Sequence, residues 1–300
     1  MKTSEAIQKM RDAIRLRHLS ISTEACYCGW LGKYCAWLSA HSPEGDAAIK
    51  MGLFLTSIAK RGVSASTQNQ AFNAVLFWYR EVLRTKVGEV ESLRAKIPSR
   101  VRIAPDAQSV ARLLDAVRDV GGYPTRLIVA LLYGCGLRVS EPLNLRIKDV
   151  DLRDSKLIIR SAKGGKDRLV AIPCSLSRQI AAQLEVATAL AKSDVAAGIP
   201  VALPGLIDQK YPRAQFSIHW AWLFPARTTC EHPRTGKTVR WRCHEANVQR
   251  AVKAAATVVG IDVTPHHLRH AYATHCLSRG ANPRALQMAM GHASLETTMG

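Results

Sequence analysis

Between Leu93 and Asp106 the chain reads RAKIPSRVRIAP, with two prolines, four basic residues and no helical or strand periodicity. Proline removes a backbone donor, fixes its own φ and pushes the residue before it out of the helical region. No helix or interior strand runs through this stretch, so the chain must build its cores on either side of it. The expected division is a unit over 1–96, a basic linker over 97–105 and a second unit over 106–300.

The first unit reads as helix throughout. Ser22-Thr23-Glu24 is expected to open a helix whose apolar side includes Tyr27, Trp30, Leu31, Tyr34 and Leu38. Ser64 leads into a second apolar helix, AFNAVLFWYREVL. Cys26 and Cys28, two apart, cannot face one direction on a helix and are read as packing. In the second unit, Val110, Leu113, Leu114 and Val117 fall at helical spacing, and a buried helix is expected from about Thr125 to Tyr133. The period then shortens. KLIIR and DRLVAI are β-type runs flanking Ser161-Ala-Lys-Gly-Gly-Lys166, so a hairpin is expected there. Helical text resumes as far as Gly198. The expected class is mainly α, with a small antiparallel β element in the second unit.

Lysine and arginine number 42 against 23 acids, a net charge of +19. Such an excess marks a polyanionic partner, because each neutralised phosphate releases counterions. The start, MKTSEAIQKMRDAIRLRH, has no apolar stretch for a secretory signal, and Leu127 to Leu137 is too short and glycine-broken to span a bilayer. The eight cysteines are scattered without framework spacing. Reduced thiols, a cytoplasmic location and no membrane partner are expected.

Five basic groups stand out. Arg138 and, three residues on, Glu141 follow a glycine-broken helix end, and Lys163 sits at the hairpin tip. Thr264-Pro-His266-His-Leu-Arg269-His270 reads as a cap, a proline at the first helical position and a helix with His266 and Arg269 on one face. His292 follows Gly291 at a turn. Arginines hold non-bridging phosphate oxygens, histidine and lysine move protons, and together they suit phosphoryl transfer. No carboxylate cluster would hold Mg²⁺, so the chemistry is read as metal-free and without a cofactor. His266 and His270 could be zinc ligands, but Arg269 lies between them and no third ligand is evident. The group still needed is a nucleophile.

GLRVSE, the hairpin lysine, HHLRH and the MGH at 290–292 resemble the tyrosine recombinase (phage integrase) family. The resemblance implies a helical SAM-like DNA-binding bundle and a mostly helical catalytic domain of the DNA breaking-rejoining fold, set as a C-shaped clamp. It implies that Arg138 and Arg269 grip the scissile phosphate and that Glu141 orients its neighbourhood. Lys163 would act as general acid for the leaving 5′ hydroxyl, with assistance from His266 and His292. The family's tyrosine stands nine residues after the last histidine, which falls immediately after Gly300. A chain ending at Gly300 is therefore expected to bind DNA without cutting it. Tyr272 is the only tyrosine beside the motif and is expected to be packed in the core.

IRLRHLSISTEACYCGWL and ASTQNQAFNAVLFWYREVL resemble the amino-terminal domain of integron integrases, and about 204–242 resembles their extra segment. That segment mixes bases with Tyr211, Phe216, Trp220, Trp222, Phe224 and Trp241, a composition suited to unstacked nucleobases. Trp222 and Phe224 are assigned to the core. The resemblance implies that Trp220, Pro233, Trp241 and Arg242 contact extrahelical bases, although many relatives carry two histidines where this chain has Trp241-Arg242. It further implies integration and excision of gene cassettes, with both duplex attachment sites and folded single-stranded cassette sites as partners, in a homotetramer on paired sites. Cys230-x-His232 with Cys243-His244 offers a weaker zinc reading. Two rival functions are a DNA-binding relic without turnover and a type IB topoisomerase-like relaxing enzyme.

Overall fold

The computed structural model describes residues 2–90, 104–160, 167–205 and 207–291. Most of the expected linker, the hairpin tip with Lys163, and His292 lie outside the described residues. By its contacts the chain forms two compact units, Met1–Val101 and Arg102–Gly300.

Among its described residues the first unit holds four α-helices: α1 (Thr3–Leu16), α2 (Ile21–His41), α3 (Ala47–Ala59) and α4 (Ala65–Phe77), the last running on into a π-helical turn at Trp78–Val82. Side-chain oxygens of Ser20, Asp46 and Ser64 accept the amides of Thr23, Ile49 and Thr67, satisfying donors that a helix start leaves unpaired. α2 thus begins before the expected Ser22, because Ser20 takes the cap. Glu24 is instead buried and receives the Arg15 guanidinium at 2.8 Å. Met10, Ile14, Leu31, Tyr34, Met51, Phe54 and Val75 fill the core, where the Tyr34 and Tyr79 hydroxyls meet at 2.9 Å.

In the second unit Asp106 caps α5 (Ala107–Ala116), accepting the Ser109 amide and hydroxyl, both at 2.8 Å. α6 (Thr125–Gly134) is apolar nearly all round and sits at the centre, with Leu127, Ile128, Val129, Leu131 and Leu132 buried. A short α7 (Ser140–Leu143) follows. β1 (Val150–Asp151), β2 (Lys156–Ile159) and β3 (Arg168–Ala171) form an antiparallel sheet in that order, with Leu157 opposite Val170 and Ile159 opposite Arg168. Alternation decides its faces: Leu157, Ile159 and Val170 are buried, whereas Leu169 is exposed. The long α8 (Cys174–Ala196) leads to the 204–242 segment, which holds α9 (Ile207–Lys210) and an antiparallel ribbon of β4 (Pro225–Glu231) and β5 (Thr238–Arg242). α10 (Glu245–Val259), α11 (Pro265–Ser278) and α12 (Pro283–Met290) follow. No helix among the described residues is long and apolar enough to cross a membrane.

The ribbon is tied to the unit by a buried ion pair. Arg240 on β5 donates through Nε and Nη2 to both Asp194 oxygens on α8, at 2.8 and 2.6 Å. Its Nη1 serves the Ala226 and Arg227 carbonyls of β4. Asp194→Ala leaves this guanidinium buried and unpaired, and is expected to cost about 3 kcal/mol in urea denaturation. Adding Arg240→Met should recover part of that loss; an unchanged midpoint for the single variant would remove the pair as the anchor.

Candidate active site

The end of α6 sets the site. After Gly134 the backbone turns through Gly136 at φ +61°, and the next residues bring Arg138 and Glu141 together at the start of α7. A Cβ on Gly136 would lie 2.3 Å from the Tyr272 ring, so the turn needs glycine for both its dihedral and its space. Glu141 is buried. Its carboxylate accepts the Arg138 amide and Nη1, each at 2.8 Å. Arg168, from β3, forks onto both oxygens with Nη1 at 2.9 Å and Nη2 at 2.7 Å. Arg269, from α11, brings Nη1 to 3.6 Å of the same group.

The same three arginines close the end of α12. Arg168 Nε donates to the Ala289 carbonyl at 2.7 Å, Arg269 Nη2 to Met290 at 2.6 Å and Arg138 Nη2 to Gly291 at 3.3 Å. These are carbonyls at the C-terminal end of a helix, where the backbone lacks continuing amides and the dipole is negative. Arg269 Nη1 also reaches the Gly136 carbonyl at 2.5 Å. The arginines are not equivalent: Arg138 has 26% of its side chain exposed, Arg168 8% and Arg269 3%.

Charge follows from this packing. Burial alone would raise the Glu141 carboxyl, but the Arg168 fork, the Arg138 amide and Arg269 outweigh it and hold it below the usual range. Burial and repulsion from Arg138 bring Arg269 down to about 10 against the pull of Glu141, so it stays cationic at neutral pH. Three guanidinium groups facing one carboxylate leave a cluster suited to receiving an anion.

The structure therefore brings Arg138, Glu141 and Arg269 together. His266 is exposed in the first turn of α11, preceding the buried Arg269. That helix starts as expected, with Thr264 at the cap and Pro265 in its first turn, and the Thr264 amide donates to His267 Nδ1 at 3.2 Å. Among the described residues no group of three His, Cys, Asp or Glu side chains could hold a metal ion. Tyr272 is packed against Gly136, and burial pushes its phenol up to about 12. A phenol so placed stays protonated at neutral pH.

Arg168 was not singled out from the sequence. The available signal is its position: in a strand of alternating burial, it shares a side with buried Val170 and lies opposite buried Ile159. An arginine on an inward face demands a carboxylate partner.

In the 204–242 segment, Trp222 and Phe224 are core residues as expected. The Trp222 ring lies under the Arg146 guanidinium, 3.1 Å from Cζ to the centroid. Arg146 is itself buried and donates to the Trp220 and Ala202 carbonyls at 2.7 and 2.9 Å. Burial and the nearby Arg242, against the pull of Asp149, bring Arg146 down to about 9. Trp220 is half-buried beneath the ammonium of Lys148. Pro233 is exposed in the turn between β4 and β5. Trp241 packs on the ring of His232, with centroids 5.2 Å apart, and Arg242 lies 3.5 Å from Glu245. His232 and His244 each commit Nδ1 to backbone amides.

The phage integrase family matches residues 106–300, and the phage integrase N-terminal SAM-like domain matches residues 7–89. An integrase/recombinase from Escherichia coli is 36% identical over 306 residues, covering 100% of this chain and 89% of that protein. Tyrosine recombinase XerA from Thermococcus kodakarensis is 32% identical over 305 residues, covering 98% of this chain and 89% of that protein. Among solved structures, the Tn1549 transposon integrase in complex with circular intermediate DNA aligns with a TM-score of 0.61 at 16% identity, covering 98% of this chain and 93% of that one. XerH bound to its difH substrate aligns with a TM-score of 0.59 at 18% identity, covering 100% and 81%. These two likenesses concern the fold.

Gly136→Ala should destabilise the second unit by about 2 kcal/mol, because a methyl must displace Tyr272 while the backbone keeps a positive φ. Urea denaturation followed by circular dichroism checks this, and a loss below about 0.5 kcal/mol would contradict the close packing of Tyr272 on the turn.

Proposed function

The chain belongs to the phage integrase family of tyrosine recombinases, and on that footing we propose that it is an integron-type enzyme that inserts and excises gene cassettes by metal-free strand exchange. The observation that carries this reading is the buried cluster in which Arg138, Arg168 and Arg269 converge on one carboxylate. Two of them, Arg138 and Arg269, hold the non-bridging oxygens of the scissile phosphate and offset the charge that develops as it is attacked. Glu141 orients Arg138. The attacking group is the tyrosine expected immediately after Gly300. Its oxygen bonds to phosphorus as the bond from phosphorus to the 5′ oxygen breaks, and Lys163 supplies the proton that the leaving oxygen needs. His266 and His292 assist proton movement. The 3′-phosphotyrosyl bond conserves the phosphodiester, so rejoining to another 5′ hydroxyl needs neither ATP nor metal.

The integron assignment is supported by the 204–242 segment. There an aromatic and basic ribbon presents Pro233, Trp241 and Arg242, and Trp220 lies under Lys148. Rings beside cations suit an unstacked base and its phosphate, as a folded single-stranded cassette site would offer. The net charge of +19 fits a partner read largely through its phosphates, whether folded strand or duplex attachment site. The working assembly is a homotetramer on two paired sites.

A folded cassette hairpin nicked near the cleavage point traps covalent product. Residues 1–300 should bind it and give no covalent band. The same chain carried past Gly300 by a tyrosine and a family-like tail should give one. Arg269→Lys in the longer chain should slow adduct formation by about 100-fold. A band from residues 1–300 alone would mean that another residue, Tyr272 first, attacks the phosphate. Good binding with no band from either chain would support a protein that occupies sites without turnover.

A further inference from the structure

We infer that Arg168 is a positioning residue of the active site: its fork onto Glu141 and its bond to Ala289 fix Arg138 and the end of α12 in the arrangement that receives the phosphate. The inference rests on the phosphate-binding reading given above.

Arg168 itself is committed elsewhere. Nε, Nη1 and Nη2 each have an acceptor, at 2.7, 2.9 and 2.7 Å, and only 8% of the side chain is exposed. It is held where it can shape the site without binding the phosphate. Arg138 differs, being the more open of the three and bound to the same Glu141 oxygen that Arg168 Nη1 holds. Among the described residues, the charged groups facing Glu141 are Arg138 from its own turn, Arg168 from β3 and Arg269 from α11. Arg168 is the only one of them that meets both oxygens with its guanidinium.

A second contact ties Arg168 to the backbone leading into His292. A Cβ added to Gly291 would lie 3.2 Å from Arg168 Cδ, so the stem of this arginine packs on the glycine that ends α12 at φ +64°. Arg168 is also five positions after Lys163 along the chain. One side chain thereby links the strand that follows the proposed general acid, the carboxylate beside Arg138, and the turn before the last histidine.

The chemical consequence has a definite sign. Burial pushes the Glu141 carboxyl up and the arginines bring it down, Arg168 most. Without Arg168 the carboxyl takes up its proton at a higher pH. A neutral carboxyl releases its hold on Arg138, so the acid side of any profile that depends on Arg138 moves upward. Lysine restores the charge but not the fork, because one ammonium cannot span both carboxylate oxygens and the Ala289 carbonyl as a guanidinium does.

The test compares the tyrosine-extended chain with its Arg168→Met and Arg168→Lys variants on the nicked hairpin, from about pH 4 to about pH 8, with hairpin binding followed by fluorescence anisotropy. Arg168→Met is expected to bind within about threefold of the unmutated chain yet form adduct about 100-fold more slowly, with its acid limb moved to higher pH. Arg168→Lys should recover part of the rate. If Arg168→Met does not fold, Arg168→Lys carries the test, and the expected loss is about tenfold with the same upward movement. Unchanged rate and profile in a folded variant would overturn the inference. Carbon-13 titration of Glu141 in the DNA-free protein separates this from the functional reading. A tyrosine-extended chain, with Arg168 in place, that forms no adduct sinks the recombinase mechanism. A Glu141 titration unmoved in either folded variant sinks the role of Arg168.

Discussion

Three guanidinium groups cannot be packed side by side unless something negative is packed with them. Here the negative partners are the Glu141 carboxylate and the last carbonyls of α12, and each arginine uses both. The fold supplies these partners from separate places. The break at the end of α6 delivers Glu141, the inward face of β3 delivers Arg168, and α11 delivers Arg269 from a buried position. Because the acceptors are themselves fixed in packed elements, the guanidinium groups are already oriented in the free protein. On the proposed reading, little rearrangement is then required when charge develops on a bound phosphate.

Much of this site can be read from the sequence because its parts are local. Gly134 and Gly136 bracket a helix end, Arg138 and Glu141 lie three apart, and Thr264-Pro265 starts the helix that carries Arg269. The helical first unit and the short antiparallel pairing in the second are equally visible, as changes of hydrophobic period. Arg168 was not visible in the same way. Its partners are 27 and 121 positions away along the chain, and nothing local separates it from the solvated arginines of other strands. The ribbon at 225–242 was also missed. Its β4 run, PARTTCE, shows no clean alternation, and its place is set by long-range pairs such as Arg240 with Asp194.

The 204–242 segment shows how a basic, aromatic-rich stretch divides its residues between structure and surface. Trp222 and Phe224 go inward, and Arg146 follows them because its guanidinium can meet the Trp220 and Ala202 carbonyls while lying on the Trp222 ring. What remains accessible is a smaller set, Trp220 beneath Lys148 and Trp241 beside His232 among them. Composition alone treats all of these as candidates for base stacking. Burial divides them, because a ring already covered on both sides by protein has no face left for a base.

On the proposed reading, the arginine cluster holds one anionic phosphate. The most direct measurement is the affinity of residues 1–300 for hairpin DNA carrying a single neutral methylphosphonate, placed in turn at the scissile position and at flanking positions. Neutralising the scissile phosphate should weaken binding by more than about tenfold, whereas flanking substitutions should cost only the ordinary loss of one ionic contact. Equal losses at all positions would mean that the cluster grips no particular phosphate, and would contradict that reading.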